Sequence, residues 1–123
     1  MKKILITGGA GFIGSNLSNR LSSNYEVYSL DNFHKKESKL NINKLKNNNV
    51  HFIEADIRDF DEVFDIIKQN NFDSIVHLAA QVAMTKSIEN PQLDFEINVI
   101  GTLNLLNSLV KLESDTKFIN IAS

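Results

Sequence analysis

The sequence contains no cysteine, which excludes disulfides and thiol chemistry and is compatible with a reducing cytosol. It has no run near the roughly 18 apolar residues of a membrane span. Charge of one sign is missing too. Thirteen basic residues face fifteen acidic ones, a net charge of −2, so electrostatics give no case for a nucleic-acid or membrane partner. Met1-Lys2-Lys3 precedes an apolar stretch as in a signal peptide, but glycines break that stretch after Thr7. Asn16-Leu17-Ser18 fits the glycosylation triplet and, with no secretory signal, is read as chance. No metal-ligand set is read in the sequence, and no linker, repeat or low-complexity segment interrupts it. What remains is one soluble, cytoplasmic domain over residues 1–123, long enough to bury a core.

Glycine is scarce as well, and four of the five glycines fall within residues 8–14. The stretch Thr7-Gly8-Gly9-Ala10-Gly11-Phe12-Ile13-Gly14 follows the apolar run Ile4-Leu5-Ile6, which reads as a buried parallel strand. After it, Phe12, Ile13, Leu17 and Leu21 recur at helical spacing, predicting one buried helix face. Strand, glycine turn and helix in this order give the glycine spacing meaning. Gly8 or Gly9 permits a tight turn at positive φ. A bare Cα at Gly11 lets a pyrophosphate reach the amides of the helix N-terminus. Gly14 lets the helix pack close to the sheet. Gly9-x4-Gly14-Ser15 also begins like the loop of nucleotide hydrolases, but that loop needs a lysine next, and Ser15-Asn16 stand there.

The second strand, Glu26–Leu30, ends at Asp31, 17 residues after Gly14. A carboxylate at that distance accepts hydrogen bonds from both ribose hydroxyls of NAD and repels the 2′-phosphate of NADP. The alternative is a turn-forming Asp31-Asn32 pair, with Lys35, Lys36 and Lys39 beside it. Residues 38–49 are polar and read as a short helix or irregular excursion. A third strand, Val50–Glu54, leads to Asp56, at a strand end where ligands bind in open α/β sheets. Asp59 with Glu62 reads as a structural capping box. The fourth strand, Ser74–Leu78, carries His77 within an apolar run, so His77 reads as a core histidine. Ala79 and Ala80, small residues at a strand end, permit close ligand approach. Asn90-Pro91 starts a helix reaching about Leu112. Its apolar residues cover more than one face, so one face is expected to meet a second subunit. A fifth strand, Lys117–Ile121, follows. Strands joined by helical crossovers predict an α/β, Rossmann-type doubly wound parallel sheet in order 3-2-1-4-5. Gly11, Asp31, Asp56 and Ala79 then converge on the crevice at the switch point.

These residues, with Asp56-Ile57-Arg58-Asp59, His77-Leu78-Ala79-Ala80 and Asn98-x-x-Gly101-Thr102, resemble the extended short-chain dehydrogenase/reductases, the nucleotide-sugar epimerases and dehydratases. The run from Gln81 to Val99 is most similar to the CDP-paratose/CDP-tyvelose 2-epimerase subgroup. The resemblance implies that Gly8, Gly11, Phe12 and Ile13 hold the pyrophosphate and that Asp31 and Asn32 hold the adenosine ribose. It implies Asp56 at the adenine amino group, with Ile57 giving a backbone contact. Leu78, Ala79, Ala80 and Gln81 would lie along the nicotinamide, and Asn98 would support the strand ends from the long helix. Ser123 stands at, or one residue before, the family's catalytic Ser/Thr. The Tyr-x-x-x-Lys pair that follows in such enzymes is absent within residues 1–123. The chain is therefore expected to be the amino-terminal cofactor part of a longer enzyme, inactive alone, whose nucleotide-sugar substrate binds a lobe beyond it. The resemblance also implies a homodimer through the 91–112 helix.

Three readings stay open at this point: a 2-epimerase, a nucleotide-sugar 4-epimerase or 4,6-dehydratase of the same family, and a non-catalytic NAD-binding module.

Overall fold

A computed structural model describes residues 1–32, 49–78 and 90–121. The expected excursion over 38–48 and its lysines, together with Ala79, Ala80, Gln81 and Ser123, lie outside the described residues. In chain order the elements are β1 Lys3–Thr7, α1 Phe12–Leu21, β2 Glu26–Asp31, β3 His51–Glu54, α2 Phe60–Asn70 and β4 Ser74–His77. Then follow α3 Pro91–Phe95, a π-helical turn Glu96–Ile100, α4 Gly101–Lys111 and β5 Lys117–Asn120. The five strands form one sheet in the order β3-β2-β1-β4-β5, and every pairing is parallel. The Rossmann-type order read from the alternation of elements is the observed one.

Strand alternation sorts the core into two layers. Leu5, Leu30 and Ile75 point toward α2 and α4, where they join Val63, Ile67, Phe72, Leu105 and Leu109. Ile4, Ile6, Val27 and Val76 face the other way, with Leu17 and Leu21 of α1 packed against them. Strands buried on both faces explain why these runs are continuously apolar.

Two expectations about the helices are corrected. Phe12 and Ile13 are not buried; they are 83% and 63% exposed. The most buried residues of α1 are Gly14, Ser15 and Ser18, with Leu17 and Leu21 half-buried beside them against the sheet, and Ser18 Oγ bonds Ser29 Oγ of β2 at 2.8 Å. Gly14 fixes that side, and a helix turning about 100° per residue carries Phe12 roughly 160° away from it.

The single helix expected from Pro91 to about Leu112 is interrupted by the π-helical turn, and its apolar residues divide between core and surface. Leu105 and Leu109 are core. Phe95, Val99, Leu103, Leu106 and Val110 are exposed, so the uncovered stripe is theirs. The caps follow the sequence: Asp59 accepts from the Glu62 amide, and Asn90 accepts from the Leu93 amide ahead of Pro91.

Candidate functional site

Parallel pairing in register brings the carboxyl ends of four strands to one edge. Thr7 pairs with Leu30 on one side and His77 on the other, and Asp31 pairs with Glu54. The glycine turn, Asp31, Asp56 and Leu78 therefore lie along the same rim, as the topology predicts.

The turn is built from its own backbone. Gly8 has φ 71°, a left-handed conformation that favours glycine. The amides of Gly8 and Gly9 both donate to the Leu30 carbonyl, at 2.7 and 3.2 Å, and Gly11 donates back to Gly8 at 3.1 Å. A Cβ on Gly9 would lie 2.5 Å from Cβ of Ser29. One on Gly14 would lie 2.8 Å from Cα of Gly9, so Gly14 packs on the turn itself rather than on the sheet. Gly11 is different: among the described residues its Cβ would meet only the Gly8 carbonyl, at 3.3 Å. Gly11 is also the N-cap of α1, with no side-chain cap and no acidic residue in the first turn. The first amides of α1 and its dipole thus favour an anion there.

Asp31 is tied to this turn, because its Oδ2 accepts the Ala10 amide at 3.2 Å. Asn32 follows it at the surface. Asp56 accepts from the Arg58 amide at 2.9 Å and is paired with its guanidinium. Ile57 is buried; its carbonyl accepts from Asn104 Nδ2 at 2.8 Å. Its side chain occupies the space that a Cβ on Gly101 would need. Asn104 and Gly101 therefore seat α4 against the loop after β3.

Between these parts runs a hydrogen-bond chain that is buried at Thr7 and His77 and part-buried elsewhere. The Leu78 amide donates to Thr7 Oγ1 at 3.0 Å, and Thr7 Oγ1 lies 2.7 Å from His77 Nδ1. His77 Nε2 lies 2.8 Å from Thr102 Oγ1, and Thr102 donates to the Asn98 carbonyl at 2.7 Å. Thr102 has one proton, spent on Asn98, so His77 donates from Nε2 and accepts at Nδ1. Burial lowers the His77 pKa to about 4, so the ring is neutral near pH 7. This chain joins the residue before Gly8 to the π-helical turn carrying Asn98, a type of turn frequent at functional sites.

The structure thus places Gly8, Gly11, Phe12, Ile13, Asp31, Asn32, Asp56, Ile57, Leu78 and Asn98 toward the carboxyl-terminal end of the strands, on elements from both faces of the sheet. Sequence reasoning missed the links among them: Thr7 and Thr102 around His77, Asn104 on Ile57, and Arg58 on Asp56. The visible signal for the first was a histidine inside an apolar strand, in register with a threonine. Among the described residues no group of three acidic or histidine side chains could hold a metal. None of the helices there is long and apolar enough to cross a membrane.

The sequence profile of the family described as GDP-mannose 4,6 dehydratase matches residues 5–123. The CDP-paratose 2-epimerase of Salmonella typhi is 45% identical over 119 residues, which cover 95% of this chain and 35% of that protein. Among solved structures, the UDP-Glc/GlcNAc 4-epimerase of Campylobacter jejuni superposes with a TM-score of 0.87 at 35% identity. That match covers 98% of this chain and 36% of the other. The Thermus thermophilus UDP-glucose 4-epimerase, solved in complex with NAD, gives a TM-score of 0.77 at 38% identity, covering 90% of this chain and 34% of that one. The chain spans about a third of the length of the relatives it matches.

Proposed function

This chain belongs to the NAD-dependent epimerase/dehydratase family, and from that premise we propose that it is the cofactor-binding part of a nucleotide-sugar epimerase. The observation that carries the reading is the glycine turn with Asp31 tethered to it through Ala10, a pyrophosphate cradle and a ribose carboxylate held as one unit. NAD is the cofactor, and when bound it supplies a hydride acceptor that returns the hydride to the sugar within one turnover. Gly8 and Gly11, with the first amides at Phe12 and Ile13, take the pyrophosphate. Asp31 and Asn32 take the ribose, Asp56 and Ile57 the adenine. Leu78, Ala79, Ala80 and Gln81 border the nicotinamide, and Asn98 supports that end. Ser123 stands at the acid–base serine position or just before it.

The reaction we favour is epimerisation at the sugar 4-carbon, supported by the solved 4-epimerases that superpose on nearly the whole chain. The 45% identity to CDP-paratose 2-epimerase supports a second reading, epimerisation at the 2-carbon. Assay of the complete protein with UDP-glucose and with CDP-paratose decides: conversion of the first to its 4-epimer is expected. Conversion of CDP-paratose alone makes it a 2-epimerase, and turnover of neither by an NAD-loaded protein rejects the epimerase reading.

A carboxylate at Asp31 sets the cofactor. NAD is expected to bind tighter than NADP by roughly tenfold or more, from charge repulsion against the 2′-phosphate. Asp31→Asn is expected to narrow that gap. Calorimetry with both dinucleotides measures it, and equal or tighter NADP binding by the unsubstituted protein overturns the assignment.

The exposed stripe Phe95, Val99, Leu103, Leu106 and Val110 is proposed to pair with the same stripe of a second copy about a two-fold axis. Leu103→Glu with Val110→Glu is expected to turn a dimer into a folded monomer by light scattering. A monomer before substitution, or an unchanged dimer after it, rules the stripe out. Leu105 and Leu109, being core, cannot serve as probes of that face.

A further inference from the structure

The run Asn98-x-x-Gly101-Thr102 leaves Thr102 without a role, and the structure gives it one. Glu96–Ile100 form a π-helical turn, in which the Gly101 amide bonds the Glu96 carbonyl five residues back rather than four. The backbone on either side stays α-helical, with φ −61° and ψ −47° at Phe95 and φ −58° and ψ −45° at Gly101. The turn therefore amounts to one residue inserted into a helix. Closing it to the α register would rotate the residues before it by roughly 100° relative to α4. The way Asn98 faces depends on which register is kept.

π-helical turns are rare, so contacts outside the helix must favour this one. The loop after β3 holds its two ends. Glu96 Oε2 accepts from an Arg58 Nη at 3.3 Å, and Gly101 packs on the Ile57 side chain. The Arg58 pair is exposed at the surface and contributes little. Asn98, between those ends, is held by Thr102, whose hydroxyl donates to the Asn98 carbonyl at 2.7 Å. That hydroxyl is itself anchored, because it accepts from His77 Nε2 at 2.8 Å. The ring in turn accepts from Thr7 at Nδ1. Thr7 and His77 are buried in β1 and β4. A threonine side chain can take several staggered rotamers; a fixed donor from the sheet selects one of them. The π-helical turn is thereby set by the sheet and not by the helix alone.

We propose that Thr102 is a positioning residue whose hydroxyl, anchored on His77, locks the π-helical turn and so sets how Asn98 meets the nicotinamide. This rests on the reading of Asn98 at the nicotinamide end of the site. The probes are NAD and ADP-ribose, which keeps the adenosine, the pyrophosphate and the second ribose but lacks the nicotinamide. Both are titrated by calorimetry into the complete protein freed of dinucleotide. The quantity read is the ratio of their dissociation constants, in which a general loss of binding cancels.

Thr102→Val keeps the shape of the side chain without its hydroxyl. It is expected to weaken NAD binding by roughly tenfold while ADP-ribose stays within about twofold. Thr102→Ala also lacks the hydroxyl, adds no bulk, and serves if the valine variant does not fold. Thr102→Ser restores the hydroxyl and is expected to keep the ratio within about twofold of the parent. Equal weakening of both ligands, no change in either, or a serine variant that behaves like the valine one overturns the role of Thr102. Asn98→Ala separates that failure from a failure of the underlying reading. A ratio that shifts in Asn98→Ala alone leaves Asn98 at the nicotinamide and removes only Thr102. A ratio unmoved in every variant removes Asn98 from that end as well.

Discussion

Gly14→Ala is expected to destabilise the fold by roughly 3 kcal/mol, with a fall in melting temperature on the order of 10 °C. The added Cβ would come within 3.0 Å of three backbone atoms in Gly8 and Gly9. Backbone cannot rotate aside as a side chain can, so α1 must retreat from the turn. That retreat strains the Ser18–Ser29 contact and the amides of Gly8 and Gly9 on Leu30. Alanine gains about 1 kcal/mol of helix propensity over glycine, too little to offset this. Gly11→Ala is the contrasting case. Among the described residues its Cβ meets a single atom, at 3.3 Å, so folding is expected to be close to normal, while the methyl group stands where the proposed site needs phosphate to reach the amides. Thermal melts by circular dichroism and NAD calorimetry on both variants test the pair. A Gly14→Ala melt within a few degrees of the parent refutes the packing argument. Unchanged NAD affinity in folded Gly11→Ala removes that glycine from the site.

How much of this is legible in the sequence depends on range. Apolar strands such as Ile4-Leu5-Ile6 alternate with helical periodicity, so order and pairing could be read from local pattern and connection rules. The glycine spacing sat in the context that gives it meaning, and Asp31 fell at the right remove. The face of α1 was legible only in part, at Leu17 and Leu21, which do pack on the sheet. Hydrophobicity pointed to Phe12 and Ile13, but the close contact of Gly14 with the turn turned small residues inward instead. The helix after Pro91 shows the same limit. Its excess of apolar residues was visible, yet which stripe is covered depends on Gly101 meeting Ile57 and Asn104 bonding the Ile57 carbonyl. Those partners lie more than forty residues apart in sequence, beyond any periodicity. Arg58 on Asp56 is local, two residues away, but its further bond to Glu96 needed the fold.

His77 is expected to make stability depend on pH in a defined window. In the folded chain its pKa is lowered to about 4 by burial, against an ordinary value of about 6.5. As pH falls below about 6.5 the unfolded chain takes up a proton that the folded ring still refuses. Unfolding is then favoured, with stability declining down to about pH 4 and this contribution levelling off below it. Above pH 6.5 the stability is fully present. The shift corresponds to about 3 kcal/mol in full. The neighbours explain the sign. The described groups around the ring are Thr7, Thr102 and the Phe118 ring at 5.9 Å, with no carboxylate among them to hold a charge. A second ring proton would also confront Thr7 Oγ1, which already accepts the Leu78 amide. The chain carries many other ionisable groups, so the readout is a difference. Urea unfolding at pH 7.5 and pH 4.5 is compared for the parent and His77→Gln, which stays polar but cannot titrate. The variant is expected to be less stable at pH 7.5, because its amide cannot reproduce both ring bonds, and to lose less on acidification by about 2 kcal/mol. Equal losses in the two proteins would mean that His77 already carries its proton in the folded chain, and that the Thr7–His77–Thr102 chain is not closed around a neutral ring.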